Sequence, residues 1–460
     1  MLPAFDPVQS CAVALDVIAA GYANAPALDR RREMRLAMLL AAAVERSPLY
    51  RRARGGTRNV PVLQDFPVAT KADLMARFDE WVTDRRLDLE SVRRFVADPA
   101  RIAEPLRGRY TVWESSGSSG QPGLFVQDAN AMAVYDALET FRRPPQLARP
   151  QLLDPMLLFQ RLAFVGATDG HFASFVSLER MRRLNPLAAM RCRSVSFLQP
   201  VHRIVAQVDA WSPAVLATYP SAAVMLAEEK TAGRLQCKPQ EIWTGGENLT
   251  PAMRAFIATA FGCRVLDSYG ASEFLALACE CSHGRLHLNS DWAILESVDR
   301  EGRAVAPGTA GHRTLLTNLA NHVQPIIRYD LGDRTVLHAA PCACGSALPA
   351  IEVCGREDDV LHLGNAEGSP VSVLPLALCT VLEEQAGLFD FQIHQVHRCE
   401  LELRGGPGTS EAAHTLARAK RALEDYLRGS GAHGVRIRCM HGVPLRKGRS
   451  GKVQRVVGMS

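Results

Sequence analysis

Several features that would settle a protein class at once are missing from this sequence. No apolar run approaches the roughly 18 residues that a membrane-spanning helix needs. Residues 1–16 have no basic leading stretch, and Asp6 and Gln9 interrupt their apolar run. No signal peptide is read there, and the expectation is a cytoplasmic protein. Net charge is small: 53 Lys and Arg against 48 Asp and Glu leave +5, which demands neither a nucleic-acid partner nor a membrane surface. Internal repeats and long low-complexity segments are absent. So are His-Glu-x-x-His, Gly-x-Ser-x-Gly and a Gly-x-Gly-x-x-Gly after a strand, which argues against metalloproteases, α/β-hydrolases and dinucleotide enzymes.

What is present is ample core material. With 460 residues, 47% of them hydrophobic and 22% charged, the chain can offset the ordering entropy of a globular fold and is too long for one compact core. Most of the 12 cysteines are scattered singly and read as small buried hydrophobes. Cys279, Cys281, His283 and His287 stand apart, with Cys342 and Cys344 following some sixty residues on.

The first 110 or so residues read as helices separated by polar breaks, among them 29–44 with its row of Met34, Met38 and Leu39, and 71–82 opened by Thr70 with Asp73 three residues on. From about Met156 short apolar runs alternate with helical periods, the pattern of an open sheet covered by helices. One unit is clear: strand 241–244, the turn Gly245-Gly246-Glu247, Thr250 and Pro251 as cap and first helical residue, a helix to Phe261, Gly262 as its stop, and a strand over 264–267. The turn Ser268-Tyr269-Gly270 then falls at the carboxyl end of a strand, where open α/β sheets usually bind ligands. After Gly355 come a helix over 373–384, an alternating run over 391–403, a helix over 410–427, a strand over 435–439 and a basic tail over 446–452. The expectation is an α/β protein with a large multi-layer α/β domain over 1–355 and a small, mobile α+β carboxyl-terminal domain over 356–460.

Five short segments could carry chemistry. In Glu114-Ser115-Ser116-Gly117-Ser118-Ser119-Gly120-Gln121-Pro122-Gly123, hydroxyl residues interleaved with glycines can turn amides and hydroxyls towards an anion. It is not a Walker loop, since no lysine follows. The others are Asp267-Ser268-Tyr269-Gly270-Ala271-Ser272-Glu273, Ile327-Arg328-Tyr329-Asp330-Leu331-Gly332-Asp333, Gly355-Arg356-Glu357-Asp358-Asp359 and Gly451-Lys452-Val453-Gln454-Arg455. Each alone reads as an ordinary turn with solvated charges.

In that order the five resemble the core motifs of the adenylate-forming superfamily, most closely its phenylacetate–CoA ligase-like branch. The early stretches Glu45-Arg46-Ser47-Pro48-Leu49-Tyr50 and Phe66-Pro67-Val68-Ala69-Thr70-Lys71 extend the resemblance over nearly the whole chain. The resemblance implies that Ser115, Ser116, Gly117, Ser118, Ser119 and Gly120 cradle the β- and γ-phosphates of ATP. It implies that Gly245, Gly246 and Glu247, with Asp267, Ser268, Tyr269, Gly270, Ala271 and Ser272, flank the adenine, the ring of Tyr269 stacking there and also touching the substrate pocket. Glu273 would hold Mg²⁺, Asp333 would accept from the ribose hydroxyls, and Arg356 would sit near ribose and phosphate. Lys452 would bridge the acid's carboxylate and the α-phosphate, and Asp358 would be the hinge of the small domain.

The activity so implied is ATP-dependent adenylation of a carboxylic acid, an aromatic one, followed by acyl transfer to coenzyme A. The alternative acceptors are a carrier-protein thiol, an amine or a hydroxyl, and a second alternative is a non-catalytic, zinc-stabilised nucleotide-binding protein. No nucleic acid or membrane is implied as a partner, and relatives are often homodimers. Two departures from the pattern stand out: Ser118, Ser119 and Gln121 where threonines and a lysine are common, and Asp330-Leu331 where Arg-Thr is common. Some proteins of the branch carry a zinc site reading Cys-x5-His followed by Cys-x-Cys, and Cys281, His287, Cys342 and Cys344 have that spacing. Four such ligands without a spare position make a structural site; the other reading is reduced, unligated thiols, with Cys279 and His283 as bystanders. His171 falls near where relatives place a residue beside the acyl group, and reads equally as a satisfied core histidine.

Overall fold

Helix starts follow the short polar side chains of the sequence. Asp6, Asn24, Asp88, Asp128 and Thr250 each stand just before a helix and accept from its first backbone N–H groups. This computed structural model describes residues 5–53, 60–115, 122–143, 160–356, 361–364, 370–373, 375–405, 410–445 and 453–459.

In the amino-terminal region, helices Pro7–Gly21 and Ala25–Arg46 pack over a core that includes Trp81, Phe95, Trp113, Phe125, Tyr135 and Phe274. The helix read as 29–44 starts earlier, because Asn24 caps Ala27 N at 3.1 Å and Pro26 fits the first turn. Met34 and Met38 are exposed, and Leu39 and Leu40 are the buried pair. The stretch read as a helix over 71–82 does begin with a Thr70–Asp73 capping box. It breaks at Arg77 into Lys71–Ala76 and Phe78–Trp81, because Phe78 and Trp81 turn inward and the indole of Trp81 donates to Pro325 O at 2.5 Å.

Strand β1 (Thr111–Glu114) pairs antiparallel with β2 (Leu124–Gln127). β3 (Leu162–Gly166), β4 (Cys192–Ser196), β5 (Val215–Thr218), β6 (Glu241–Gly245) and β7 (Arg264–Ala271) run parallel, linked by helices. β8 (Phe274–Glu280) and β9 (Leu286–Leu288) return antiparallel beside β7. β10 (Ala293–Val298), β11 (Arg313–Asn318) and β12 (Tyr329–Asp330) form a three-stranded sheet. β13 (Asp333–Leu337) and β14 (Ala350–Arg356) then close the far edge of a nine-stranded sheet ordered β13-β14-β9-β8-β7-β6-β5-β3-β4. The α/β class read from the sequence is the architecture found.

Residues from 361 on build a separate lobe. β15 (Leu361–Gly364) and β16 (Pro370–Val373) form a hairpin. β17 (Phe391–His397), β18 (Glu400–Gly405), β19 (Arg436–Met440) and β20 (Val456–Val457) form a sheet ordered β19-β18-β17-β20, covered by helices Pro375–Ala386 and Ser410–Gly429. The alternating run read over 391–403 is thus a hairpin of two strands. Leu361, Leu378, Leu401, Leu416 and Val456 lie in the core of this lobe. β14 of the large sheet ends at Arg356, the residue read from the sequence as the start of the small domain. Among the described residues no helix is long and apolar enough to cross a membrane.

Candidate active site

A cleft of about 2650 Å³ runs between the lobes, larger than one small-molecule pocket requires. Ser115, Gly245, Gly246, Glu247, Asp267, Ser268, Tyr269, Gly270, Ala271, Ser272, Glu273 and Asp333 all line it. Val453, Gln454, Arg455, Val456 and Val457 of the small lobe line it from the other side.

The strand β6 delivers the first wall. Gly245 lies beside β7 so closely that a Cβ there would meet Ser268 Oγ at 2.8 Å, and Gly246 takes a positive φ of 75°. Glu247 then turns back and accepts from Ser221 N at 3.0 Å. The second wall differs from the sequence reading. Ser268, Tyr269 and Gly270 are not a turn after a strand but the second half of β7, which continues to Ala271 by pairing antiparallel with β8. The register slips between Tyr269 and Ala271, and Gly270 sits so near β8 that a Cβ would lie 1.9 Å from Leu275 O. The bulge re-aims the side chains after it.

Glu273 follows that bulge and is buried at the cleft wall. Tyr329 Oη donates to its Oε1 at 2.7 Å, its own backbone carbonyl accepts from Asn318 Nδ2 at 2.8 Å, and burial raises its carboxyl above the ordinary range. Tyr269 Oη donates to Asp333 Oδ2 at 2.6 Å, joining two residues that the sequence separates by 64 positions. Burial pushes Asp267 up to about 7, against a hydrogen bond from Thr244 Oγ1 at 2.8 Å. Asp330, at the second departure, accepts from Gly332 N at 2.9 Å and pairs with Arg313 at 3.3 Å.

The base of the Ser/Gly loop is a closed pair: Ser115 N donates to Gly123 O, and Gly123 N to Ser115 Oγ, each at 2.8 Å. Ser116, Gly117, Ser118, Ser119, Gly120, Asp358 and Lys452 lie outside the described residues. Arg356 stands opposite Asp333 in the β13–β14 register, and only its backbone is described. His171 is not on the cleft wall. It is wholly buried against Phe95, ring centroids 5.5 Å apart, and its carbonyl accepts from Glu114 N at 2.8 Å. The side chain points into the core because its neighbour Phe172 is the one that lines the cleft.

Sequence reasoning missed Lys71, Tyr329 and the aromatic wall formed by Phe164, Tyr219 and Trp243. Trp243 was within reach: in β6 it alternates with Ile242, which faces the core.

Cys281, His287, Cys342 and Cys344 form a cluster whose ligand atoms all lie within 4.8 Å of one another. Cys281 Sγ is 3.9 Å from Cys342 Sγ, near the roughly 3.8 Å spacing of two thiolates on a tetrahedral zinc. His287 uses Nδ1 towards Leu348 O at 2.7 Å, which leaves Nε2 facing Cys344 Sγ at 3.3 Å. The donor set therefore fits Zn²⁺. Cys279 is buried beside Arg143, and His283 is outside the cluster.

The fold is shared with solved CoA ligases, and the sequence is similar to a phenylacetate–CoA ligase. Among curated proteins the chain is 26% identical over 361 residues to phenylacetate-coenzyme A ligase of Thermus thermophilus, covering 74% of this chain and 73% of that one. No family model matches the chain. Among solved structures it resembles 2-hydroxyisobutyryl-CoA ligase in the postadenylation state with 2-HIB-AMP, at a TM-score of 0.66 and 20% identity over 92% of this chain and 88% of that one. The same ligase with CoA in the thioesterification state gives a TM-score of 0.55 at 21% identity, over 95% and 91% of the two chains. An anthranilate CoA ligase bound to anthranoyl-AMP gives 0.52 at 16% identity, over 75% and 65%.

Proposed function

We propose that the protein is an AMP-forming acid–thiol ligase: it adenylates a carboxylic acid, with an aromatic acid as the substrate class, and transfers the acyl group to coenzyme A. The observation that carries this reading is the meeting on one cleft of Glu273, the Tyr269–Asp333 pair and the Gly245 turn with the small-lobe segment that directly follows Lys452. We read the two lobes as domains 1–355 and 356–460, with Asp358 as hinge.

The acid's carboxylate oxygen attacks the α-phosphorus of ATP, the bond to the bridging oxygen breaks, and pyrophosphate leaves. Two anions must approach, so positive charge has to be present where they meet. Lys452 supplies it from the small lobe. Mg²⁺, for which the buried oxygen donor Glu273 is suited, would add positive charge over the phosphates when bound. Asp333 accepts from the ribose hydroxyls, with Tyr269 holding its carboxylate in place. The Ser/Gly loop from Ser115 cradles the outer phosphates. Phe164, Tyr219 and Trp243 offer apolar rings to the acyl group and favour an aromatic acid. Enclosure between the lobes keeps water from the mixed anhydride. The thiol of coenzyme A then attacks the acyl carbon and AMP departs. Zn²⁺ on Cys281, His287, Cys342 and Cys344 is structural.

Incubation with ATP and a panel of acids, with either coenzyme A or hydroxylamine, tests the reading. Acid-dependent pyrophosphate exchange and a thioester are expected. Hydroxamate without thioester would shift the acceptor to a carrier protein, an amine or a hydroxyl, and no exchange with any acid would leave a binding protein only.

A further inference from the structure

Glu383 lies on the helix Pro375–Ala386 of the small lobe, and its side chain has no exposed surface. A buried carboxylate needs partners, and losing one is costly. Its partners come from both lobes. From the large lobe, the Thr250 hydroxyl donates to Oε2 while accepting from Met253 N at 3.2 Å, so one side chain both caps the helix Pro251–Phe261 and reaches across to the small lobe. From the small lobe, Arg455 Nη1 donates to Oε1 at 2.5 Å.

Arg455 stands three residues beyond Lys452 and is held on several sides. Its Nη2 donates to Phe389 O at 3.1 Å, its guanidinium lies 4.1 Å above the Phe391 ring, and its Nη1 is 3.6 Å from Met253 Sδ of the large lobe. Its carbonyl accepts from Ile393 N at 2.8 Å, which fixes the chain against β17. Beside this network Phe256 of the large lobe stacks on Phe389 of the small lobe, centroids 5.2 Å apart and planes 17° from parallel. Thr250 itself ends the turn that opens with Gly245. The network thus joins the glycine turn of the cleft to the segment leading into β20.

We propose that Glu383 and Arg455 are positioning residues of a latch. Glu383 fastens the small lobe to the cap of the helix Pro251–Phe261 and, through Arg455, fixes the cleft-lining segment that follows Lys452 in the sequence. The inference rests on the adenylation reading above: acid activation requires the latch closed, and acyl transfer requires it released. Rotation of the lobe would break the Thr250–Glu383 bond and leave Glu383 Oε2 without the donor that satisfies it, which makes the closed position a defined state.

The test separates the half-reactions in Thr250→Val, Glu383→Gln and Arg455→Met. Losing a buried, charge-assisted bond should slow acid-dependent pyrophosphate exchange about tenfold or more, while supplied acyl-adenylate and coenzyme A still give thioester within about twofold of the unmodified protein. The double variant Thr250→Val with Glu383→Gln should be no slower than Glu383→Gln alone, since one bond is removed in both. A second readout needs no chemistry: energy transfer between fluorophores on the exposed Cys11 and Cys399, one on each lobe, should shift in Glu383→Gln. Exchange unchanged in Thr250→Val, equal loss of both half-reactions, or unchanged energy transfer would overturn the latch. Absence of exchange in the unmodified protein would instead overturn the adenylation reading, and the energy-transfer result would still decide the contact.

Discussion

Asp267 and Glu228 are acids that folding makes weaker. Burial pushes both up to about 7, with the Asp390 carboxylate adding to the effect on Glu228, whereas an unburied Asp titrates near 3.8. Between about pH 4 and 7 the folded chain therefore holds protons that the unfolded chain has released, so stability from these groups falls as pH rises through that window and levels off above it. Thermal unfolding of the ligand-free protein should show this decline from pH 5 to 7.5, and Asp267→Asn with Glu228→Gln should flatten it; an equally steep profile in the double variant would refute the assignment. Asp333→Asn tests another carboxylate of the cleft. It should raise the KM for ATP by about tenfold with little change in the KM for the acid. Glu273, Tyr269 and Asp333 were singled out from the order of the short segments that hold them, and the fold brings all three to one cleft. Tyr329 was not, since its role depends on reaching a carboxylate 56 positions away.

Among the elements, β7 shows what a pattern hides. Arg264 to Asp267 read as a strand and the residues after it as a turn, because glycine and serine are turn formers. The strand continues because β8 supplies partners, and Gly270 is needed for close approach of Leu275 O, not for a turn. Gly270→Ala should cost about 2–3 kcal/mol in denaturant unfolding. Gly21→Ala, where nothing lies within 4 Å of the added carbon, should change little and serves as its control. The helix unit from Thr250 to Gly262 was read correctly because cap, proline and stop are local signals. The break at Arg77 was not, because it is imposed by the burial of Phe78 and Trp81, a tertiary effect that overrides local propensity.

At the scale of the whole molecule, the alternation of strands and helices and the change of texture after Gly355 were enough to anticipate a large α/β body and a small α+β lobe. How the lobes meet was not legible, since Thr250, Glu383 and Arg455 carry no motif that links them. Lys452→Ala should abolish acid-dependent pyrophosphate exchange while largely sparing thioester formation from supplied adenylate; equal loss in both would refute the swing of this lysine between steps. Elemental analysis should find about one zinc per chain, and Cys342→Ser with Cys344→Ser should lower both the zinc content and the unfolding midpoint before it lowers turnover.

The cysteine–histidine corner joins the end of β8 and the start of β9 to the connection between β13 and β14. β8 is the strand against which the Tyr269 segment is pressed, and β13 begins at Asp333. A clamp at that corner therefore also braces the cleft wall that carries Tyr269 and Asp333. Peroxide or a thiol-capping reagent arriving from solvent would loosen that wall without touching any residue that lines the cleft.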